Sequence, residues 1–421
     1  MQSLCALRIL AQEGNARIKH LTAEALEVLE AVNACSMLDN RAVLIGMDAS
    51  RAVAARLTGT ERYSREVIAA MVRAAPAQRF RLYFREGDDA QRDAFLATLQ
   101  GNIEPAILHP SRLWTHIGLS NEITARPPDG LFVPAHVLPA AMARADLRNK
   151  VRAVATVHDL GFKHFPQAHP AQQRAYLDLG TRFTVSNAHV IIADSEATKR
   201  DVVAFYGIHD SNVRVAYPGP MLLPAANMQD ADKVLKKFGL STRRPFALHV
   251  GTLQPRKNLR RLLQAWARLP AAMRDAQLVL AGGAGWGDEA AQLRHDVDAL
   301  ALSQRVAFAG YISDLEKAVL LRAARVYVLP SLYEGFGFPV LEANAAGVPI
   351  ACSNTSSLPE VAGDAALMFD PTKVDDIAGA IEQLMTDDGL RERLIDAGHA
   401  NLARFSWEAC AGIILDAITK R

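Results

Sequence analysis

Two glutamates, Glu334 and Glu342, stand eight positions apart, with Gly335-Phe336-Gly337 following the first and Pro339 preceding the second. Glycines let a backbone approach a ligand closely, and a proline suits the first turn of a helix. The unpaired amides of such a helix start favour an anion. Glu342, expected in that first turn, can accept two hydrogen bonds from the vicinal hydroxyls of a ribose, while Glu334 addresses whatever lies beyond the phosphates. The pattern suits a nucleotide diphosphate carrying a polar group such as a sugar. The alternative is that both glutamates only complement the positive end of a helix dipole.

A second set reinforces the first. Arg256 and Lys257 in "HVGTLQPRKNLRRLLQAW" lie between a strand and a helix that Asn258 is expected to cap. Two cations beside free helix amides suit a diphosphate site, against the alternative of a merely solvated helix end. His158 and Asp159 end the strand "VRAVATVHDL", and Gly59, Thr60, Glu61 and Arg62 form a loop leading into a helix. Both groups are read as facing a cleft, against the alternatives of a structural histidine and a solvated loop.

Other patterns lose weight. Asp296 and Asp298 have Asp-x-Asp spacing but fall in a helical stretch, where residues two apart diverge, and read as surface charge. Glycines 283, 285 and 287 do not make G-x-G-x-x-G, which argues against a dinucleotide. Ser357 with Glu360 reads as a capping box, and Asp194 or Ser195 as the cap of "EATKRDVVAFYG", ended by Gly207. No G-x-S-x-G, H-E-x-x-H or Walker loop is present.

The elements that must position these residues alternate regularly. A chain of 421 residues suits two domains. From residue 41, the runs "AVLIGMDAS", "RFRLYF", "GLFVPAH", "VRAVATVHDL" and "AHVIIADS" alternate with helical patterns, as in a parallel sheet covered on both faces. The Pro-rich stretch 216–230 reads as a connection, after which "RPFALHVG", "AQLVLAGG", "RVAFAGY", "ARVYVLP" and "VPIACS" repeat the pattern. The expected fold is α/β, two doubly wound, Rossmann-like parallel-sheet domains facing a central cleft. Expected boundaries are an N-terminal extension over 1–40, domains over 41–220 and 221–404, and a final helix over 405–421. "LTAEALEVLEAV" in the extension looks helical alone, and Met37 is an alternative start.

Lys+Arg 47 against Asp+Glu 45, without a basic stretch interleaved with aromatics, argues against a nucleic-acid partner. Cys5, Cys35, Cys352 and Cys410 are scattered and read as buried thiols of a cytoplasmic protein. No membrane-spanning run or signal-peptide order is seen, so the expected location is inside the cell, with peripheral contact at the inner membrane face left open.

From about residue 41 to 410 the chain resembles the retaining GT-B glycosyltransferases of family four, most specifically in "PSLYEGFGFPVLEANAAGVPIACSNTSSLPEVAG", which carries an E-x7-E signature. The resemblance implies that the second domain holds a nucleotide-sugar donor and that the final helix crosses back onto the first. Glu342 would hold the ribose, Arg256 and Lys257 the diphosphate, and Glu334 with the amides of Gly335, Phe336, Gly337 and Phe338 the transferred sugar. His158 takes the place of the family's cleft histidine, and the backbone of Tyr311 and Ile312 would border the base. Gly251 is followed by Thr252, where some relatives carry arginine, so diphosphate charge rests on Arg256 and Lys257.

The form of these motifs is most similar to mannosyl- and related hexosyltransferases of bacterial surface polysaccharide synthesis. The implied reaction moves a hexose, from GDP-mannose ahead of a UDP-sugar, to a glycan or lipid-linked glycan hydroxyl. It implies no metal and no cofactor beyond the nucleotide-sugar co-substrate. The competing readings are a nucleotide-sugar epimerase of the same architecture and a non-catalytic sugar-nucleotide-binding protein.

Overall fold

The structure, a computed structural model, describes residues 43–420 apart from 56–57, 88, 111–112, 136, 169, 241–243 and 286. The expected extension 1–40, with Cys5, Cys35 and the helical reading of its middle, lies outside the described residues.

Residues Leu44–Arg421 form one compact unit containing two all-parallel sheets. The first sheet has seven strands, β1 (Leu44–Asp48), β2 (Arg79–Arg85), β3 (Asn102–Leu108), β4 (Gly130–Val133), β5 (Arg152–Val157), β6 (Val190–Ala193) and β7 (Val213–Val215), in the order β3-β2-β1-β4-β5-β6-β7. The second has six, β8 (Phe246–Val250), β9 (Gln277–Ala281), β10 (Val306–Gly310), β11 (Val326–Leu329), β12 (Ile350–Ser353) and β13 (Ala366–Phe369), in the order β10-β9-β8-β11-β12-β13. Each order reverses once, between β1 and β4 and between β8 and β11, and ligands of such sheets bind outside the strand ends at that point.

Side chains along a strand alternate faces, and both faces here are apolar because helices cover both. In the second sheet Phe246, Leu248, Val279, Tyr327 and Leu329 pack into one core, while Ala247, Leu278, Leu280, Val326 and Val328 pack with the fully buried Trp266 into another. Register follows: Leu248 pairs with Val279 and with Tyr327, all in the same core. Each large side chain removed from water this way contributes roughly 1.5–3 kcal/mol.

The stretch 216–227 contains no helix or strand, and the helix Met228–Lys237 follows it. The last helix, Trp407–Thr419, is capped by the Ser406 hydroxyl and packs on the helix Gly59–Ala74 and on β4 and β5 of the first sheet. Arg152 Nε donates to the Ala417 carbonyl at 2.6 Å, and Arg214 pairs with Asp416 at 2.7 Å. Among the described residues no helix is long and apolar enough to cross a membrane. Cys352 and Cys410 are buried free thiols.

Candidate active site

The loops after β8 and β11 flank the reversal point of the second sheet and bring Arg256, Lys257 and Glu334 together. After β8 the chain turns through a 3-10 segment, Pro255–Lys257, into the helix Leu259–Ala267. Asn258 stands at the start of that helix in the left-handed region (φ 59°) but does not cap it. Its side chain instead donates to the Pro371 carbonyl and accepts from Arg261.

Glu334 follows β11, and its carboxylate accepts from Lys257 Nζ at 2.5 Å, Arg256 at 2.9 Å and Ser331 Oγ at 2.6 Å. Burial alone would raise its pKa; the two cations outweigh burial and hold the group down at about 2. Burial draws the Lys257 ammonium below its ordinary range despite this partner. The Asp159 carboxylate of the first domain also acts on both cations, so Arg256 and Lys257 stand between two carboxylates at the strand ends.

Beneath this cluster His249 in β8 donates from Nδ1 to the Val328 carbonyl, and burial pushes its pKa down to about 4. Its neutral ring keeps a further charge out of the floor of the site.

The turn after Glu334 is shaped by two glycines. Gly337 has φ +115°, and a Cβ on Gly335 would lie 2.1 Å from the His158 carbonyl oxygen of the first domain. Ser357 Oγ donates to the Glu334 and Phe336 carbonyls, so it ties down this turn instead of capping its own helix, Leu358–Ala362. Glu360 does not complete the expected capping box either; its carboxylate leaves the second domain and accepts from the amides of Glu196 and Ala197.

Glu342 falls in the second turn of the helix Phe338–Ala346, not its first, because Gly337 is the N-cap. Its carboxylate is buried and accepts from Lys317 Nζ at 2.5 Å. Tyr311 is 73% exposed beyond β10, whereas the Ile312 side chain packs into the second domain's core. Thr252 is exposed beside Gly251.

On the first domain His158 is buried at the end of β5 and packs edge-on to Tyr63, ring centroids 4.7 Å apart. Its Nδ1 lies 2.6 Å from Asp194 and its Nε2 3.0 Å from the Pro134 carbonyl. Burial works against a second proton, but the Asp194 carboxylate and the carbonyl outweigh it and raise the pKa. Asp159 accepts from the Gly161 amide at 2.8 Å. Gly59, exposed, and Thr60, partly buried, are helical residues and not a loop, because Thr58 with Glu61 forms the capping box at that helix start. Ser195, not Asp194, caps the helix Glu196–Tyr206, which ends at Gly207 in the left-handed region.

Some site residues escaped the sequence reading. Lys317, Asp194 as the partner of His158, and Ser356, whose hydroxyl accepts from the Glu334 amide at 2.9 Å, act through contacts between separate segments that no local spacing marks, while Ser331 lies three residues before the carboxylate it donates to. Asp296 pairs with Arg260 on the surface, while Asp298 accepts from Ser303.

The comparisons with known proteins agree on the family. Residues 230–400 match the family described as Glycosyl transferases group 1, and residues 57–220 match Glycosyltransferase Family 4. The O-antigen chain mannosyltransferase B of Escherichia coli is 36% identical over 270 residues, covering 62% of this chain and 68% of that protein. The chain belongs to the group 1 glycosyltransferases. This group 1 glycosyltransferase is also 32% identical over 236 residues to the MMP alpha-(1->4)-mannosyltransferase of Mycolicibacterium hassiacum, covering 49% of the chain and 56% of that protein. Anabaena HepE, solved in complex with UDP and glucose, superposes with a TM-score of 0.68 at 18% identity over 90% of this chain and all of that one, a likeness of fold. The enzyme is thus a glycosyltransferase with the GT-B fold of its structural neighbours.

Proposed function

We propose that this enzyme transfers mannose from GDP-mannose to a hydroxyl of a growing surface glycan or lipid-linked glycan, with retention at the anomeric carbon and without a metal. The observation that carries the donor half is the convergence of Arg256 and Lys257 on Glu334 at the reversal point of the second sheet. The departing diphosphate gains negative charge as the sugar–phosphate bond breaks, and the fixed cations act on that developing charge. Mannose is favoured by the O-antigen mannosyltransferase relative and by 27% identity over 237 residues to the E. coli serotype-specific mannosyltransferase WbdA, of which the chain spans 29%.

Glu334 is read as a positioning group. Its ionised carboxylate is committed to two cations and a hydroxyl, which suits orienting a sugar and ordering the cations over forming a covalent bond. Glu342, held by Lys317, is the proposed ribose acceptor, with the Tyr311–Ile312 backbone beside the base. His158 with Asp159 is proposed for the sugar and acceptor side of the cleft, where Gly335 brings the second domain against the His158 carbonyl.

A UDP-sugar donor is the second reading, favoured by the UDP and glucose named with HepE. The deciding experiment is calorimetry with GDP-mannose, UDP-glucose and UDP-N-acetylglucosamine in chelator, followed by transfer assays with the donor that binds. Binding of GDP-mannose alone, lost in Glu342→Ala, supports the proposal; binding of only a UDP-sugar replaces mannose.

A further inference from the structure

The helix Glu196–Tyr206 belongs to the first domain, yet its start is completed by the second. A helix start leaves its leading amides without intrahelical partners, and an anion is their favoured occupant. Ser195 Oγ accepts from Thr198, which accounts for one of these amides. Those of Glu196 and Ala197 donate to Glu360 Oε2 and Oε1, each at 2.9 Å, and Tyr217 of the connecting stretch donates its hydroxyl to Oε2 at 3.0 Å. The Glu360 backbone is itself held, its carbonyl accepting from Arg404 at 2.8 Å.

This contact lies beside the reacting loop. Ser195 Oγ and Thr198 Oγ1 both donate to the Gly335 carbonyl, at 2.5 and 2.9 Å. The Tyr333 hydroxyl accepts from the Leu160 amide and donates to Asp201. Thus one helix start receives both the carboxylate of Glu360 and the turn that carries Glu334.

We propose that Glu360 is a positioning residue for transfer: by bridging the Glu196 and Ala197 amides it sets the placement of the two domains, and so the placement of the Glu334–Gly335 turn against His158. The proposal rests on the reading of this cleft as the transfer site. Removing the carboxylate frees two amides and a tyrosine hydroxyl to be met by water, which is equally available in a wider arrangement of the domains. Glu360 touches none of the residues proposed for the ribose and diphosphate, Glu342, Arg256 and Lys257. The consequence is a loss in turnover without a matching loss in nucleotide affinity.

The test compares wild type, Glu360→Ala, Glu360→Gln and Tyr217→Phe by small-angle X-ray scattering without ligand, by calorimetry with GDP and UDP, and by transfer at saturating donor. The expected Glu360→Ala has a larger radius of gyration, nucleotide affinity within about twofold and turnover lower by about tenfold or more. Glu360→Gln, which keeps one accepting oxygen, falls between; Tyr217→Phe, which leaves both helix amides capped, shows a smaller change in the same direction and stands in if Glu360→Ala fails to fold. Wild-type turnover in Glu360→Ala, or lowered turnover with unchanged scattering, overturns the proposal. If wild type transfers from none of the donors, the mannosyl-transfer reading falls, while unchanged scattering in Glu360→Ala still rejects a role for Glu360 in domain placement.

Discussion

Lys257 Nζ lies 2.5 Å from Glu334 Oε1, and neither side chain is more than 8% exposed. Residues assigned from sequence to the two halves of a ligand, the cation to the diphosphate and the carboxylate to the sugar, are thus partners of each other. A ligand that recruits the cations must share them with Glu334, and a change at Glu334 must alter them. Glu334→Gln keeps the shape but removes the charge that orders Arg256 and Lys257. The expected outcome is a fall in turnover of about 10²-fold with a much smaller change in donor affinity, read from steady-state kinetics beside calorimetry. Normal turnover would remove Glu334 from the reaction.

The same pair sets an acid limit to stability. The Glu334 pKa falls from 4.5 to about 2 on folding, so below 4.5 the unfolded chain binds more protons and stability declines with pH. Its contribution, on the order of 3 kcal/mol, is fully present above pH 4.5 and lost as pH falls through about 2. Urea unfolding of wild type and Glu334→Gln across this range should show the wild-type advantage shrinking as pH falls. A constant difference would mean that the pair does not hold the carboxylate down.

The sheets' inner strands were legible because burial on both faces writes them as continuous apolar runs such as "FALHV" and "VYVL". Of the four edge strands only β10, in "RVAFAGY", was legible; β3, β7 and β13 were not. β3 reads Asn-Ile-Glu-Pro-Ala-Ile-Leu, half exposed with a proline that an edge tolerates, and β7 has three residues. At the site, residue types near strand ends indicated Arg256, Lys257, Glu334 and Glu342 as candidates, but local spacing could not show that Lys317 pairs with Glu342. Ser357 and Glu360 were misread for a related reason. Their spacing fits a capping box, yet tertiary contacts offered both side chains stronger partners than their own helix.

Glu342 and Lys317 separate a ribose contact from a structural pair. Glu342→Ala should weaken donor binding by about 1.5–3 kcal/mol, roughly tenfold or more, in calorimetry. Binding of the free sugar, which lacks the ribose, should not respond. Unchanged donor affinity would leave Glu342 as no more than the partner of Lys317.

Arg256 and Lys257 make a sharper case, because removing both strands the Glu334 carboxylate in a buried setting. Arg256→Ala with Lys257→Ala should lower donor affinity and turnover together and destabilise the fold by about 3–5 kcal/mol. Adding Glu334→Gln should restore much of the stability, since the orphaned charge is gone, while donor affinity stays low. Recovery of affinity in the triple variant would move the diphosphate to other groups.

Two buried histidines should titrate in opposite directions. His158, beside Asp194, keeps its second proton above the ordinary value of 6.5, whereas His249 is pushed down to about 4. The His158 contribution to stability is therefore present below pH 6.5 and lost as pH rises through the folded value. His249 acts on the other side: as pH falls from 6.5 towards 4 the unfolded chain takes up the proton first and the fold loses stability. NMR titration of the imidazole resonances, assigned with His158→Gln and His249→Gln, checks both. A His158 resonance that titrates below 6.5 would show that Asp194 does not hold the imidazolium. The ring at the end of β5 would then meet a ligand neutral.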